Sequence, residues 1–245
     1  MEGHLETLSR TLNTLERIFR YAVSVGYITH NVITDIDKKS AFKRHKQKNY
    51  PVITDKKGLG ELLRTIDGYS GNVITKYALK LAPHLFVRPA NLRYAEWMEF
   101  DFEKKIWRIP AEKMKMEDPH ITPLSKQVVE ILRELKQISG NGKFLFPGHV
   151  TSSRPISDAT LVKALRRLDY SKEQLVAHSF RGIASTILHE NINAHGVHTE
   201  AIERQLAHQE RNKVKAAYNH AKYLQERIYL MTWWSNYLDD IKESV

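Results

Sequence analysis

Cysteine is absent from all 245 residues. Its absence excludes a disulfide scaffold, thiolate zinc sites, iron–sulfur clusters and a cysteine nucleophile. No apolar run approaches the ~18–20 residues that cross a bilayer. The opening Met1-Glu2-Gly3-His4 lacks the basic-then-apolar layout of a signal peptide. No glycine-rich loop ending in Gly-Lys-Ser/Thr occurs, which speaks against an ATPase. Acidic residues are in the minority, 28 against 38 Lys and Arg, for a formal charge of +10. What is there is a 42% apolar chain, enough for a packed core. The expectation is a soluble, cytoplasmic, nucleoid-associated protein with no membrane partner, for which nucleic acid is the leading partner class.

Periodicity divides the chain. Leu5, Leu8, Leu12, Leu15, Phe19, Ala22 and Val25 share one helical face, and Gly26 stands where a stop belongs. A stripe that long needs partners to cover it. Periodicity then fails in a basic stretch carrying Lys38, Lys39, Lys43, Arg44, Lys46 and Lys48, closed by Pro51. A charge run is ordinarily a solvated linker, and flexible basic linkers also track phosphate backbones. Residues 1–50 hold nine basic against five acidic side chains. Further on, Thr54 is a candidate N-cap for a helix through Glu61 to Ile66, and a second helix is expected from Ile74 to Leu85. The period then changes at Phe100–Phe102, Ile106–Ile109 and His120–Pro123, which read as three small antiparallel strands. Ser125 is expected to cap a helix that Gly140 ends. Later helices are expected at 158–169, 180–192, 200–209 and about 222–240, the last with Leu224, Ile228, Met231, Trp234 or Ser235, and Leu238 on one stripe.

His178-Ser179-Phe180-Arg181 opens one of these helices. Residues three apart on a helix share a face, so a titratable ring and a forked, permanently charged donor stand side by side, a pair suited to a phosphate. Alone it would be an ordinary capping histidine with a surface arginine. It has company. His208 lies thirty residues on and Tyr218 ten beyond that, in Ala216-Ala217-Tyr218-Asn219. Upstream, Arg88 follows a helix in Val87-Arg88-Pro89, and Lys115 stands between the second and third strands.

The ordered set Arg88, Lys115, His178, Arg181, His208 and Tyr218 resembles the catalytic constellation of the tyrosine recombinases, the phage-integrase family. Ile106-Trp107-Arg108-Ile109-Pro110, Met114-Lys115-Met116, Pro119-His120 and Trp233-Trp234 are similar to the P4-type integrases of prophages and genomic islands. The resemblance implies a mostly α fold with a small three-stranded antiparallel sheet. It implies a C-terminal fragment of the helical core-binding domain at 1–36, a linker at 37–51 and a catalytic domain at 52–245. It further implies a site-specific recombinase for integration and excision of a mobile element. Tyr218 is the implied nucleophile, giving a 3′-phosphotyrosyl link. Arg88 and Arg181 clamp the non-bridging oxygens, His178 takes the tyrosine proton, His208 donates to phosphate and Lys115 protonates the leaving oxygen. Lys113 is the alternative to Lys115, which stands eight residues before Pro123 as in the family pattern. No cofactor or metal is implied, because two arginines and a lysine supply the positive charge. Implied partners are double-stranded attachment sites, a homotetramer on DNA, DNA-bending accessory proteins and an excisionase. The alternatives are a truncated DNA-binding remnant without turnover and a type IB topoisomerase-like relaxing activity.

One position departs from the family pattern. Three residues after the first arginine a Glu or Asp is usual, and here Asn91 stands there. Other candidates are weaker. His189-Glu190 opens like a zinc-protease motif, but the second ligand position is Asn193. His195 and His198 are expected in a solvated loop, and Trp233 and Trp234 are expected to pack rather than stack on bases. The last helix is expected to pack on its own domain, and the resemblance implies that a C-terminal segment docks on a neighbouring protomer; the two are compatible.

Overall fold

The computed structural model describes residues 5–37, 49–115, 117–208 and 223–244. They fall into two compact units, Met1–Asn49 and Tyr50–Val245.

In the first unit, α1 (Leu5–Ser24) carries ion pairs one turn apart, Glu6 with Arg10, and Glu16 with Arg20 at 2.6 Å. Tyr27 N–H returns to Ala22 O at 2.9 Å, with Gly26 in the left-handed region at φ 77°. A 3₁₀ turn, Val32–Asp35, follows. Asn31 caps it by accepting from Ile33 N and donates through Nδ2 to Glu16 O at 3.1 Å, tying the turn back onto α1.

The second unit begins with α2 (Lys56–Asp67) and α3 (Val73–Leu85). Asp55, rather than the expected Thr54, caps α2: its carboxylate accepts from Gly58 N at 2.8 Å. Asn72 caps α3 through Ile74 and Thr75 N–H. Helix α3 ends in Phe86, a buried aromatic at φ 36°. A bulky side chain in the left-handed region costs about 1–3 kcal/mol and persists only where packing over-determines it. Here the ring lies edge-on to Trp234, centroids 6.0 Å apart. The turn sends Val87 and Arg88 out of the helix into α4 (Pro89–Arg93), with proline at its first position.

Strands β1 (Phe100–Asp101), β2 (Ile106–Ile109) and β3 (His120–Pro123) form one antiparallel sheet in that order. Trp107 pairs with Phe100 on one side and Thr122 on the other. Then come α5 (Lys126–Ser139), α6 (Asp158–Arg167), α7 (Ser179–Glu190), α8 (Ile192–His195), α9 (Thr199–Gln205) and α10 (Leu224–Ser244). Ser125 caps α5 and Gly140 ends it, as expected. The fold class is the expected one: mostly helical around one small antiparallel sheet.

Helix α10 packs on α2 and α3 of its own unit. The approach to α2 is close: a Cβ on Gly60 would stand 2.8 Å from Ile241 O. Its buried face consists of Arg227, Leu230, Met231, Trp234, Ser235, Leu238 and Ile241. The expected stripe is right from Met231 onward and wrong at Ile228, which is exposed while Arg227 takes the inner position; Leu224 is half-buried. The Arg227 guanidinium donates to Gln205 Oε1 at 2.9 Å and to Ile121 O, so a polar residue does the anchoring. Trp234 is fully buried and donates to Pro83 O at 2.8 Å, while Trp233 stacks on Tyr237. Both pack, as expected.

Candidate active site

Arg88 occupies the N-cap position of α4 and donates through Nη2 to Ala207 O at 3.1 Å. Arg181, buried in the first turn of α7, donates through Nη2 to Leu206 O. Two guanidiniums from different helices therefore grip consecutive carbonyls of the turn that ends α9 and delivers His208. Ala207 holds that turn at φ 49°, a conformation that costs a side-chain-bearing residue about 1–2 kcal/mol.

The charges are set for an anion. Burial lowers the Arg88 pKa. Burial, then the neighbouring Arg88, lowers Arg181 to about 10, with Glu203 opposing. Both remain cations at neutral pH while lacking the solvation that a phosphate would restore. His178 occupies the N-cap position of α7 beside them, its side chain making no capping hydrogen bond. Its pKa is lowered by burial first, then by Arg181, Arg88 and His208, so the ring is a free base at neutrality and can take a proton. The ring of Tyr50 leans on it, centroids 4.7 Å apart. That segment can lie against α7 because residue 182 is glycine: a Cβ there would come within 2.7 Å of Val52 Cγ1.

His208 is exposed and its Nδ1 lies 2.6 Å from Glu203 Oε2. Against a carboxylate that nitrogen must be the donor, which leaves Nε2 to face outward. The other oxygen of Glu203 stands 3.3 Å from His189 Nε2, and His189 Nδ1 lies 2.7 Å from Ser185 O. Glu203 thus orients the one site histidine that no helix holds.

The two lysines differ. Lys113 Nζ donates to Tyr94 O at 2.9 Å, Glu96 Oε1 at 2.7 Å and Glu99 Oε1. Those three acceptors use all its protons. Burial disfavours its charge, but the hydrogen bonds to Glu96 and Glu99 outweigh that and raise the pKa. Lys115 stands exposed in the turn before β3. Asn91 is buried and donates through Nδ2 to Lys113 O at 2.8 Å, with Met114 Sδ at 3.6 Å. Tyr218 and the basic residues Lys38, Lys39, Lys43, Arg44, Lys46 and Lys48 lie outside the described residues.

A family model described as "Phage integrase family" matches residues 53–225. The chain belongs to the phage integrase family. It is 39% identical to the integrase of Enterobacteria phage P4 over 97% of its own length and 56% of that protein's. It is 36% identical to the putative protein IntB of Escherichia coli K12, over 99% of this chain and 63% of that one. The chain thus spans little more than half the length of these relatives, and the P4-type resemblance is borne out. Among solved structures, a lambda integrase dimer bound to a COC′ core site superposes with a TM-score of 0.62 at 18% identity, covering 89% of this chain and 60% of that one. The fold is the one shared by these integrases.

Within this phage integrase fold, Arg88, His178, Arg181 and His208 are brought together from three elements or their ends. Sequence reasoning missed Glu203, His189 and Tyr50, whose roles depend on contacts between elements that carry no local motif. It also misplaced His195. Far from lying in a solvated loop, that ring is buried, donates from Nε2 to Leu188 O at 2.8 Å and accepts from Val197 N at Nδ1. Backbone groups satisfy both nitrogens, which removes it as a metal ligand. Among the described residues, no cluster of three or more His, Asp or Glu could hold a metal ion, and no helix is long and apolar enough to cross a membrane.

Proposed function

We propose that this chain is the strand-exchanging part of a site-specific recombinase acting on double-stranded DNA attachment sites. The observation that carries the proposal is the double grip of Arg88 and Arg181 on the Leu206 and Ala207 carbonyls. It converges two cations, His178 and His208 on one place, ten residues ahead of Tyr218. Tyr218 Oη attacks the phosphorus, forming a 3′-phosphotyrosyl ester as the bond to the 5′-oxygen breaks. A phenol with pKa near ~10 needs its proton removed, and the neutral His178 is the base that takes it. Arg88, Arg181 and His208 bear the charge that grows on the non-bridging oxygens. Lys115 gives its proton to the departing 5′-oxygen; Lys113, with every proton engaged, is unsuited to that role. The ester conserves the bond energy, so reversal with a 5′-hydroxyl of a second duplex rejoins the strands without a cofactor.

The exposure of His208 and Lys115 favours a macromolecular substrate over a small one, since small ligands are ordinarily enclosed. In this reading residues 1–36 belong to a core-binding domain, 37–51 are a basic linker along the backbone and 52–245 are the catalytic domain. Two subunits must meet at each attachment site and four at a paired complex, as in the lambda integrase tetramer bound to a Holliday junction. Accessory bending proteins and an excisionase complete the assembly we propose. The test is a nicked suicide substrate bearing the attachment site, run on denaturing gels with the chain and with a longer chain extended at its N-terminus. A covalent band that Tyr218→Phe abolishes is the expected outcome. A band that survives Tyr218→Phe, or none from the longer chain, overturns the reading.

A further inference from the structure

We infer that Asn91 is the positioning residue for the Lys115 turn, and that Lys113 is the anchor through which it acts. The inference rests on the reading of Lys115 as proton donor to the leaving oxygen.

Lys113 is held at two points. Its backbone carbonyl accepts from Asn91 Nδ2 at 2.8 Å, and its ammonium is surrounded by Tyr94 O, Glu96 and Glu99. The far side of that second grip is rigid: Glu99 Oε2 accepts at 2.8 Å from the indole of Trp107, a fully buried residue of β2. Lys143 adds a further cation 3.4 Å from Glu96. The backbone between Lys113 and Lys115 is therefore pinned at its base, while Lys115 itself stays exposed. Asn91 lies on α4, whose N-cap is Arg88, so one short element carries the first phosphate-facing arginine and the clamp on the lysine turn. A two-residue lever from a fixed carbonyl gives an exposed lysine a restricted arc, which is what a proton donor to one leaving atom requires.

The chemistry of the clamp explains why asparagine serves where the family pattern has a carboxylate. The Lys113 carbonyl is an acceptor, and an amide offers it a proton where an ionised carboxylate has none to give. A carboxylate would set oxygen against oxygen out of reach of water. This gives Asn91→Asp a diagnostic sign. If position 91 mattered for its charge, the substitution would restore the family residue and raise activity. If it matters as a donor to Lys113 O, the substitution lowers activity.

The experiment compares the parent chain, Asn91→Asp and Lys115→Ala on two suicide substrates, one with the ordinary 5′-oxygen and one with sulfur at that bridging position. A thiolate departs without protonation, so the sulfur substrate does not need the general acid. Expected is about a 10- to 100-fold slower covalent capture of the oxygen substrate by Asn91→Asp, with capture of the sulfur substrate within about twofold of the parent. Amide exchange gives a readout independent of turnover. The Met114 and Glu117 N–H groups, bonded to Ala111 O and Met114 O, should exchange faster in Asn91→Asp while the α5 amides do not. Unchanged exchange overturns the clamp, as does equal slowing on both substrates or activity at or above the parent's. If Lys115→Ala is not rescued by sulfur, the assignment of Lys115 as acid fails, while exchange still decides the clamp.

Discussion

Helices α1 and α10 are nearly equal in length, 20 and 21 residues, and opposite in character. The sharper apolar stripe belongs to α1, yet among its described residues Leu12 alone is buried, while Ile18 and Tyr21 are 56% and 67% exposed. The stripe of α10 is interrupted by Arg227 and Ser235, yet seven of its residues are buried. Pattern states what a face is suited to cover; burial states what covers it. The unit that holds α10 also holds the gripped turn at 206–207, and α10 reaches it through the Arg227 bond to Gln205.

The largest expected effect sharpens that contrast. Trp234→Ala should cost about 3–5 kcal/mol, because a fully buried indole leaves a cavity and orphans the Pro83 carbonyl. Leu12→Ala, at the edge of a smaller unit, should cost under about 2 kcal/mol. Chemical denaturation of both variants checks the pair, and equal losses would break the comparison.

Next is acid. His84 is buried under α10 and bonded to Ser235 Oγ at 3.0 Å. Burial lowers its pKa from 6.5 to about 4. Below pH 6.5 the unfolded chain takes up a proton that the folded protein refuses until about 4, so stability is full above 6.5 and falls as pH drops. The loss from His84 is about 3 kcal/mol by pH 4. His120, lowered by burial and then by Arg227, Arg204 and Arg181, adds in the same direction. Thermal melts from pH 8 to 4 should show the decline beginning near 6.5 and should show it reduced in His84→Gln.

The smallest effect concerns an exposed pair that pattern cannot see. Glu203→Gln keeps an acceptor for His208 but loses the charge shared with His189, and should slow covalent capture about tenfold with little change in melting temperature. Equal losses in stability and capture would make Glu203 a structural residue.

The three strands, the Ser125 cap and the long helices were legible because each is written locally, in periods of two or 3.6 and in side chains that bond their own backbone. Thr54 and Asp55 both suit a cap, and only geometry puts the Asp55 carboxylate on Gly58 N. The early phase of α10 was misread because an apolar search passes over an arginine that is buried by its bonds. Arg88, Lys115, His178, Arg181, His208 and Tyr218 were picked out as candidates by their order along the chain. Glu203, His189 and the Asn91 bond to Lys113 were not, since each joins elements far apart in sequence.

The most direct measurement is to digest the covalent protein–DNA adduct and locate the nucleotide by peptide mass spectrometry. Expected is one modified peptide, with the 3′-phosphate on Tyr218. Modification of Tyr223, Tyr229 or any other side chain would contradict the assignment of Tyr218 as nucleophile and the site built around Arg88 and Arg181.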